Sequence, residues 1–386
     1  MNTILKYTKG DRAIWLVVLL LATISTLVVY TSITSLAYRH HDGNTFYYLF
    51  RHTTFLAIGI GIMYGIHKIK YSYFSRIAQL ALYVSIPLLL LTLLIGTNLN
   101  NASRWLVIPV INQSFQTSDL AKLALVMYVA RMLSVRQDDI KNFRKAFLPI
   151  IIPIFVVCGL IFPANFSTAA VLFTSCLILM FIGRISLKYI GAMIGLGAAS
   201  LGLVFLLALA APGLLPRFDT WISRVENFSS QDSQGNYQAE QSKIAVATGG
   251  LTGKGPGKST QRNFLPHPYS DFIYAIVLEE YGLLGGLGVL MLYLILLYRA
   301  VRIVVKSPKA FGALLAVGIA FMLVFQAMIN MAVAVNLFPV TGQPLPMVSM
   351  GGTSIWFTCI AIGIILSVSR GIEEEVGLNK KVRAAV

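Results

Sequence analysis

Acids are scarce in this chain. Only 15 Asp and Glu stand among 386 residues, so an acid inside an apolar run is a candidate for chemistry or for an ion pair. One stretch, Leu265-Pro266-His267-Pro268-Tyr269-Ser270-Asp271-Phe272, opens an apolar run that carries Glu279-Glu280-Tyr281-Gly282. With Ser270 as the cap of a helix, Asp271 lies near its positive end. A carboxylate there is at the least a second capping group. Glu279 comes about 12 Å deeper along a helix and either lines a polar cavity or pairs with an interior base. Glu280 points about 100° away from it and is expected to approach the opposite interface.

Two further stretches have the same mixed character. Asn100-Asn101-Ala102-Ser103-Arg104-Trp105 is followed by Gln116-Thr117-Ser118-Asp119-Leu120-Ala121-Lys122. Asp119 and Lys122 are three residues apart and share one helix face. A lysine within an apolar span must be paired, hydrated or useful. Lys122 therefore either pairs with Asp119 or meets a ligand, and Arg104 beside Trp105 is either an interfacial anchor or a ligand contact. The third stretch, from Asn336 to Ser354, holds Pro339, Pro344, Pro346, Gly342, Gly351 and Gly352 among apolar residues. Irregular backbone in such a setting survives only when buried in protein or lining a cavity, and the density of Pro, Gly, Ser and Thr favours a cavity wall.

A fourth stretch imitates a phosphate-binding loop. Gly253-Lys254-Gly255-Pro256-Gly257-Lys258-Ser259 lacks the four-residue spacing between glycines, and no strand precedes it. Nucleotide binding is rejected. Glycines beside lysines can still present amide and ammonium groups to a phosphate, but the stretch by itself reads as a flexible, solvated loop.

The elements that carry these residues follow from composition. The chain is 56% hydrophobic and 12% charged, against about 25% charged in soluble domains. That excludes a soluble enzyme, a disordered chain and a disulfide-stapled domain. A nucleic-acid binder is excluded too, because the net charge of +16 is dispersed in short clusters between apolar runs. Cys158, Cys176 and Cys359 all fall in apolar runs and read as packing residues. Runs of about 20 apolar residues cross a bilayer. Ten are expected: Ala13 to Ile33, Thr53 to His67, Ile77 to Gly96, Asp119 to Leu133, Phe147 to Phe162, Thr168 to Gly183, Tyr189 to Ala211, Asp271 to Tyr298, Phe311 to Val335 and Gly351 to Ser369. The first is too long, and lacks the following cleavage site, to be a signal peptide.

The expected fold is an all-α integral membrane protein, a bundle of about ten helices forming one polytopic domain over residues 1–386. Ten spans place both termini on one side. That side holds 21 of the 31 Lys and Arg, the other holds nine, and Lys122 lies within a span. The positive-inside rule then puts the termini in the cytoplasm. One large extracytoplasmic loop, 212–270, follows the seventh span. In it Phe218, Trp221, Ile222, Val225 and Phe228 recur at helical spacing, as in a surface-lying amphipathic helix or one capping the bundle. A second short helix is expected from Gln238 to Thr248.

Taken together, Ala102-Ser103-Arg104-Trp105 with Gln116 and Lys122, Ser270-Asp271-Phe272-Ile273 with Glu279-Glu280-Tyr281-Gly282, and Pro339 through Ser354 resemble the SEDS family (RodA, FtsW and SpoVE) over essentially the whole chain. The Ala-Ser-Arg-Trp form is more similar to the division branch, FtsW. The resemblance implies a peptidoglycan glycosyltransferase of the bacterial cytoplasmic (inner) membrane, working at its outer face. The implied substrate is lipid II, an undecaprenyl-pyrophosphate disaccharide-pentapeptide. The implied partners are a class B penicillin-binding protein transpeptidase and other divisome or elongasome membrane proteins.

On this resemblance Asp271 matches the family's essential aspartate and is the candidate base for the acceptor hydroxyl. Arg104 and Lys122, then Lys243, Lys258 and Arg262, are candidates to neutralise the departing pyrophosphate. Gln116, Glu279, Ser349, Gly351 and Gly352 complete the expected substrate contacts. No residue cluster demands a metal, although a divalent cation (Mg or Mn) suits the chemistry. The sequence departs from the family at Asp119, where a glutamate is usual, at Asn165, where an acid is frequent, and at Met350, where tyrosine is common. A lipid II flippase and a non-catalytic scaffold are the alternative readings; intramembrane Lys122, Glu279 and Glu280 suit a transporter, but no internal repeat supports one.

Overall fold

The structure, a computed structural model, describes residues 9–34, 36, 44–99, 102–108, 113–210, 222–224, 226, 228 and 237–385. At 97–99, 102–104, 108, 113, 207–210 and 376–385 the backbone alone is described. Among the described residues, eight helices are long and apolar enough to cross a membrane. The two other expected spans are helices too. Phe166–Ile182 is shorter than the rest, and Thr117–Val135 carries Asp119, Lys122 and Arg131, which lower its apolar character. Of the ten expected spans, eight are thus helices of full length and composition, and two are helices that fall outside those limits. Phe218, Trp221 and Val225 of the expected amphipathic helix lie outside the described residues, while 222–224 are helical.

The chain forms two compact units. The first comprises Met1–Lys70, Asn227–Lys306 and Leu323–Val386. It holds α1 (Arg12–Ser32), α2 (Thr45–His67), α8 (Tyr237–Gly249), α9 (Ile273–Lys306) and α11 (Thr353–Ala385). Asp11 caps α1, its carboxylate accepting from Ala13 N and Ile14 N. This satisfies two donors that helix geometry leaves open. Twenty-one residues then span about 31 Å. Helix α11 packs along α2, and α1 along α9. Ile14, Val17, Val18, Leu21 and Val28 face inward on α1, whereas Leu16 and Leu19 remain more than half exposed, as lipid-facing residues should.

The second unit comprises Tyr71–Glu226 and Ser307–Met322. Its helices are α3 (Tyr73–Ile95), α4 (Thr117–Val135), α5 (Leu148–Ile161), α6 (Phe166–Ile182) and α7 (Leu187–Ala210). Helix α4 packs against α3, α5 and α6 and is the buried centre of this unit. Asn165, where an acid was the family expectation, caps α6 by accepting from Thr168 N at 3.3 Å. Helix α10 (Ala310–Ala334) begins in the second unit and ends in the first.

Two local features depart from the expected all-helical chain. Between α3 and α4 lies a three-stranded antiparallel sheet, β1 (Thr97–Leu99), β2 (Ala102–Ile108) and β3 (Gln113–Gln116). Trp105, Leu106, Val107 and Ile108 are aromatic and branched or bulky, and such residues favour pleated backbone; Trp105 pairs with Gln116. The other is a break within α9 at Gly282, where φ is +67° and ψ −169°. A Cβ at Gly282 would collide with Gly253 N and Leu251 O, and the positive φ already disfavours any other residue. Gly282→Ala is therefore expected to lower folded yield sharply. Gly288→Ala, in the same helix with open space around its Cβ position, is expected to leave yield unchanged; detergent-extracted monodisperse protein is the measurement.

Candidate functional site

The break in α9 exposes backbone groups that must find partners at membrane depth. The glycine stretch supplies them. Lys254 N donates to Glu279 O at 3.0 Å and Gly255 N to Glu280 O at 2.9 Å. In return Leu283 N donates to Gly250 O at 2.9 Å and Leu284 N to Leu251 O at 3.2 Å. The approach is so close that a Cβ at Gly253 would overlap Glu280 O. The expectation of a flexible, solvated loop is overturned: Gly249 and Gly253 allow close backbone-to-backbone approach to α9, and Gly255 N donates to it.

The same loop surrounds Glu279. Its Oε1 accepts from Lys254 Nζ at 2.6 Å, Thr260 N at 3.0 Å and Thr260 Oγ1 at 2.8 Å. Its Oε2 accepts from Ser259 Oγ at 2.5 Å and Gln261 N at 3.2 Å. The residue is fully buried. The expected partner base is thus Lys254, but the expected substrate contact is not available, because both oxygens are occupied and no surface remains. Glu280 is also fully buried and takes a hydrogen bond from Thr31 Oγ1 at 3.1 Å. It does not approach an interface. Arg262, a pyrophosphate candidate, is half-buried and donates to Thr31 O at 3.0 Å. Lys243 and Lys258 are exposed.

Asp271 sits just ahead of α9. The helix begins at Ile273, and Ser270 does not cap it. Instead Ser270 Oγ donates to Asp271 Oδ1 at 2.8 Å. The Asp271 carbonyl accepts from Asn330 Nδ2 at 2.8 Å, and the same amide group donates to Gln343 O at 2.7 Å. Asn330 thereby ties the candidate base to the Pro- and Gly-rich stretch. Gly342 lies beside the free side of the carboxylate: its Cβ position is 3.6 Å from Asp271 Oδ2. With φ +66° the position suits glycine, and the absence of a side chain keeps Oδ2 open. Among the described residues no cation is ion-paired with Asp271.

Within the stretch from Asn336 to Ser354, Gln343 and Leu345 to Ser349 are buried in protein, one of the two environments expected, whereas Leu337 and Phe338 are exposed. Ser349 Oγ donates to Ser270 O at 2.6 Å and accepts from Leu345 N at 2.8 Å. Met350 N donates to Tyr269 O at 2.9 Å. Gln326 Nε2 donates to Pro344 O at 2.9 Å, and Tyr293 OH donates to Pro346 O. Ser25 Oγ donates to Val348 O and bonds His52 Nε2, each at 2.8 Å. Ser349 therefore positions the Asp271 loop through backbone, rather than standing open to a substrate. Gly351 and Gly352 shape the turn into α11, Gly352 with φ +53°. Asn330, Gln326, Tyr293, Ser25 and His52 escaped the sequence reading. A signal existed for the first two: amide side chains four residues apart mark one polar face of an apolar helix.

In the second unit, Lys122 Nζ lies 2.8 Å from Asp119 Oδ1, both side chains being less than a tenth exposed. The ion-pair reading of Lys122 is the one realised. Asp119 Oδ2 is buried without a hydrogen-bond partner. Gln116 directs its amide to Ser118 Oγ at 2.9 Å. Arg104 lies on β2, where only its backbone is described. Among the described residues no three His, Cys, Asp or Glu side chains come together as metal ligands.

The family model for cell cycle proteins, covering FtsW, RodA and SpoVE, matches residues 11–374. The chain belongs to this family. It is 33% identical to the stage V sporulation protein E of Bacillus subtilis, over 95% of this chain and 98% of that one. It is also 33% identical to a probable peptidoglycan glycosyltransferase FtsW of Trichlorobacter lovleyi, over 95% of both chains. Its fold matches a chain of a peptidoglycan synthase complex, solved for the structural coordination of polymerization and crosslinking, with a TM-score of 0.74 and 25% identity over 94% of this chain and 98% of that one. It matches the rod shape determining protein RodA of Thermus thermophilus with a TM-score of 0.63 and 25% identity, over 94% and 97% of the two chains.

Within this FtsW/RodA/SpoVE frame the Asp119–Lys122 pair makes a direct prediction. Lys122→Met leaves a buried carboxylate uncompensated, a loss of about 3–5 kcal/mol, and is expected to depress the thermal midpoint and folded yield. The double change Asp119→Asn with Lys122→Met is expected to recover both. Thermal unfolding of the purified set measures this; a double variant no better than Lys122→Met alone contradicts the pairing role.

Proposed function

We propose that the chain is a peptidoglycan glycosyltransferase that extends glycan strands from lipid II, with Asp271 as its general base. The observation that carries the reading is the asymmetry of the Asp271 carboxylate. One oxygen is oriented by Ser270 and the other faces the space kept by Gly342. A base needs that combination of a held geometry and an open lone pair. In the reaction Asp271 accepts the proton of the acceptor sugar hydroxyl as its oxygen attacks the anomeric carbon of the donor. The bond from that carbon to the pyrophosphate oxygen breaks, and undecaprenyl pyrophosphate leaves.

The departing pyrophosphate calls for cations. Lys122 is neutralised by Asp119, which leaves Arg104 as the stronger candidate, with exposed Lys243 and Lys258 as outer contacts. A divalent cation (Mg or Mn) has no three-ligand set among the described residues, so no step is routed through one. Placement in the bacterial inner membrane, with both termini cytoplasmic and Asp271 toward the outer face, is supported by the 21-to-nine division of basic residues. A class B penicillin-binding protein is the natural partner, since a structural relative belongs to a complex that coordinates polymerization and crosslinking; further divisome or elongasome proteins would join it.

Asp271→Asn is expected to reduce glycan polymerisation from labelled lipid II by about 10²–10⁴-fold or more, while thermal stability and partner binding stay near wild type. Retained polymerisation would move the base elsewhere, and lipid II transfer across vesicles without any polymer would favour a flippase. For topology, a cysteine at exposed Lys243 is expected to react with an impermeant thiol reagent applied outside spheroplasts, and one at exposed Lys141 is not. Equal labelling overturns the orientation.

A further inference from the structure

A half-open cavity of about 490 Å³ lies in the first unit, lined by none of the candidate substrate or catalytic residues above. It is walled by the start of α1, the end of α9 and the Ser369–Glu373 part of α11. Its lining includes five cations, Lys9, Arg12, Arg299, Arg302 and Lys306, against two acids, Asp11 and Glu373.

The acids are already committed. Asp11 Oδ2 accepts from Arg299 Nη2 at 2.6 Å and Nε at 2.7 Å, while its Oδ1 caps α1. Glu373 Oε2 accepts from Gly10 N at 3.0 Å. Gly10 has φ +90°, and its Cβ position lies 3.1 Å from Leu366 O, so this corner is tightly built. Lys9 reaches Glu374 at 3.9 Å. Arg302 Nη1 donates to a neutral acceptor, Tyr298 OH, at 3.0 Å, and Arg302 pairs with no acid among the described residues. Arg12 and Lys306 are exposed and pair with no acid among the described residues. The cavity is thus a braced frame whose lining holds an excess of three positive charges.

We propose that this cavity binds the phosphate headgroup of an anionic glycerophospholipid. Phosphate chemistry follows from the cations: two guanidiniums and an ammonium around a concave floor match phosphate oxygens. A lipid, rather than a soluble phosphate, follows from the setting. The cavity lies where two membrane-spanning helices start and end, and apolar side chains adjoin the cations on the same helices. Val305 is 81% exposed beside Lys306, Val301 is 44% exposed beside Arg302, and Leu16 is 58% exposed one turn from Arg12. Such residues receive acyl chains while the cations hold the headgroup.

The test is native mass spectrometry of the detergent-solubilised full chain, titrated with dioleoylphosphatidylglycerol or dioleoylphosphatidylcholine. The wild type is expected to retain phosphatidylglycerol at concentrations at least about tenfold below phosphatidylcholine. Arg12→Gln/Arg302→Gln/Lys306→Gln is expected to lose that preference, and Arg12→Lys/Arg302→Lys/Lys306→Arg to keep most of it. Lys141→Gln/Arg144→Gln/Lys145→Gln, which removes three exposed charges elsewhere, is expected to bind as wild type. Monodisperse elution and an unchanged helical spectrum establish that each variant folds. The proposal is overturned if wild type shows no preference, or if the two glutamine triples lose it equally. It is also overturned as a lipid site if millimolar inorganic phosphate or ATP displaces phosphatidylglycerol from wild type.

Discussion

The Glu279 carboxylate is the group on which the first unit is organised. A charged carboxylate buried without donors is very costly, and this one is fully buried in a membrane-spanning helix. Five hydrogen bonds, one of them from the Lys254 ammonium, offset that cost. All five donors come from one short loop, so the acid dictates the loop's course as firmly as the loop shelters the acid. The break at Gly282 belongs to the same arrangement. It turns backbone carbonyls and amides toward the loop, and glycine-only contacts on both sides let the two chains touch. Removing any one part leaves another part buried and unsatisfied.

A second network secures Asp271 without confining it. Asn330 holds its backbone, Ser270 one of its oxygens, and Ser349 and Met350 the residues just before it. The rigidity lies in main-chain contacts, leaving the second oxygen open. This division between held backbone and free side-chain atom is what the proposed role of Asp271 as a base would require. The irregular stretch from Asn336 to Ser354 supplies carbonyls to the amide and hydroxyl side chains of Ser25, Tyr293, Gln326 and Asn330, on helices that are otherwise apolar.

Much of the helical framework was legible because apolar run length is a direct consequence of bilayer thickness. The helix at Tyr237–Gly249, the Asp119–Lys122 pair and the pairing of Glu279 with an interior base were legible for a similar reason: local composition and spacing carry them. What sequence spacing does not encode is pairing at a distance. Lys254 precedes Glu279 by 25 residues, and nothing local says that a Gly-Lys stretch lies on a broken helix instead of in solvent. Ser25 and His52 belong to two spans, yet meet at Val348. The sheet at Ala102–Ile108 was masked by its tryptophan and arginine, which read equally well as an interfacial anchor. Glu280 shows the limit of helical arithmetic: a 100° rotation places it away from Glu279, but another helix waits there with Thr31.

The loop around Glu279 also has a direction in time. Its donors lie 18 to 25 residues ahead of the acid, so a ribosome makes every one of them before it makes Glu279. The glycines that meet Glu280 and Gly282 are likewise made first. When the acidic segment of α9 emerges, its counterparts already exist on the adjoining chain, and pairing is a short-range event between neighbours in sequence. A helix bearing two carboxylates is a poor substrate for membrane insertion alone. Here the order of synthesis allows Glu279 to be neutralised and hydrogen-bonded by a nearby segment already made, before α10 and α11 follow.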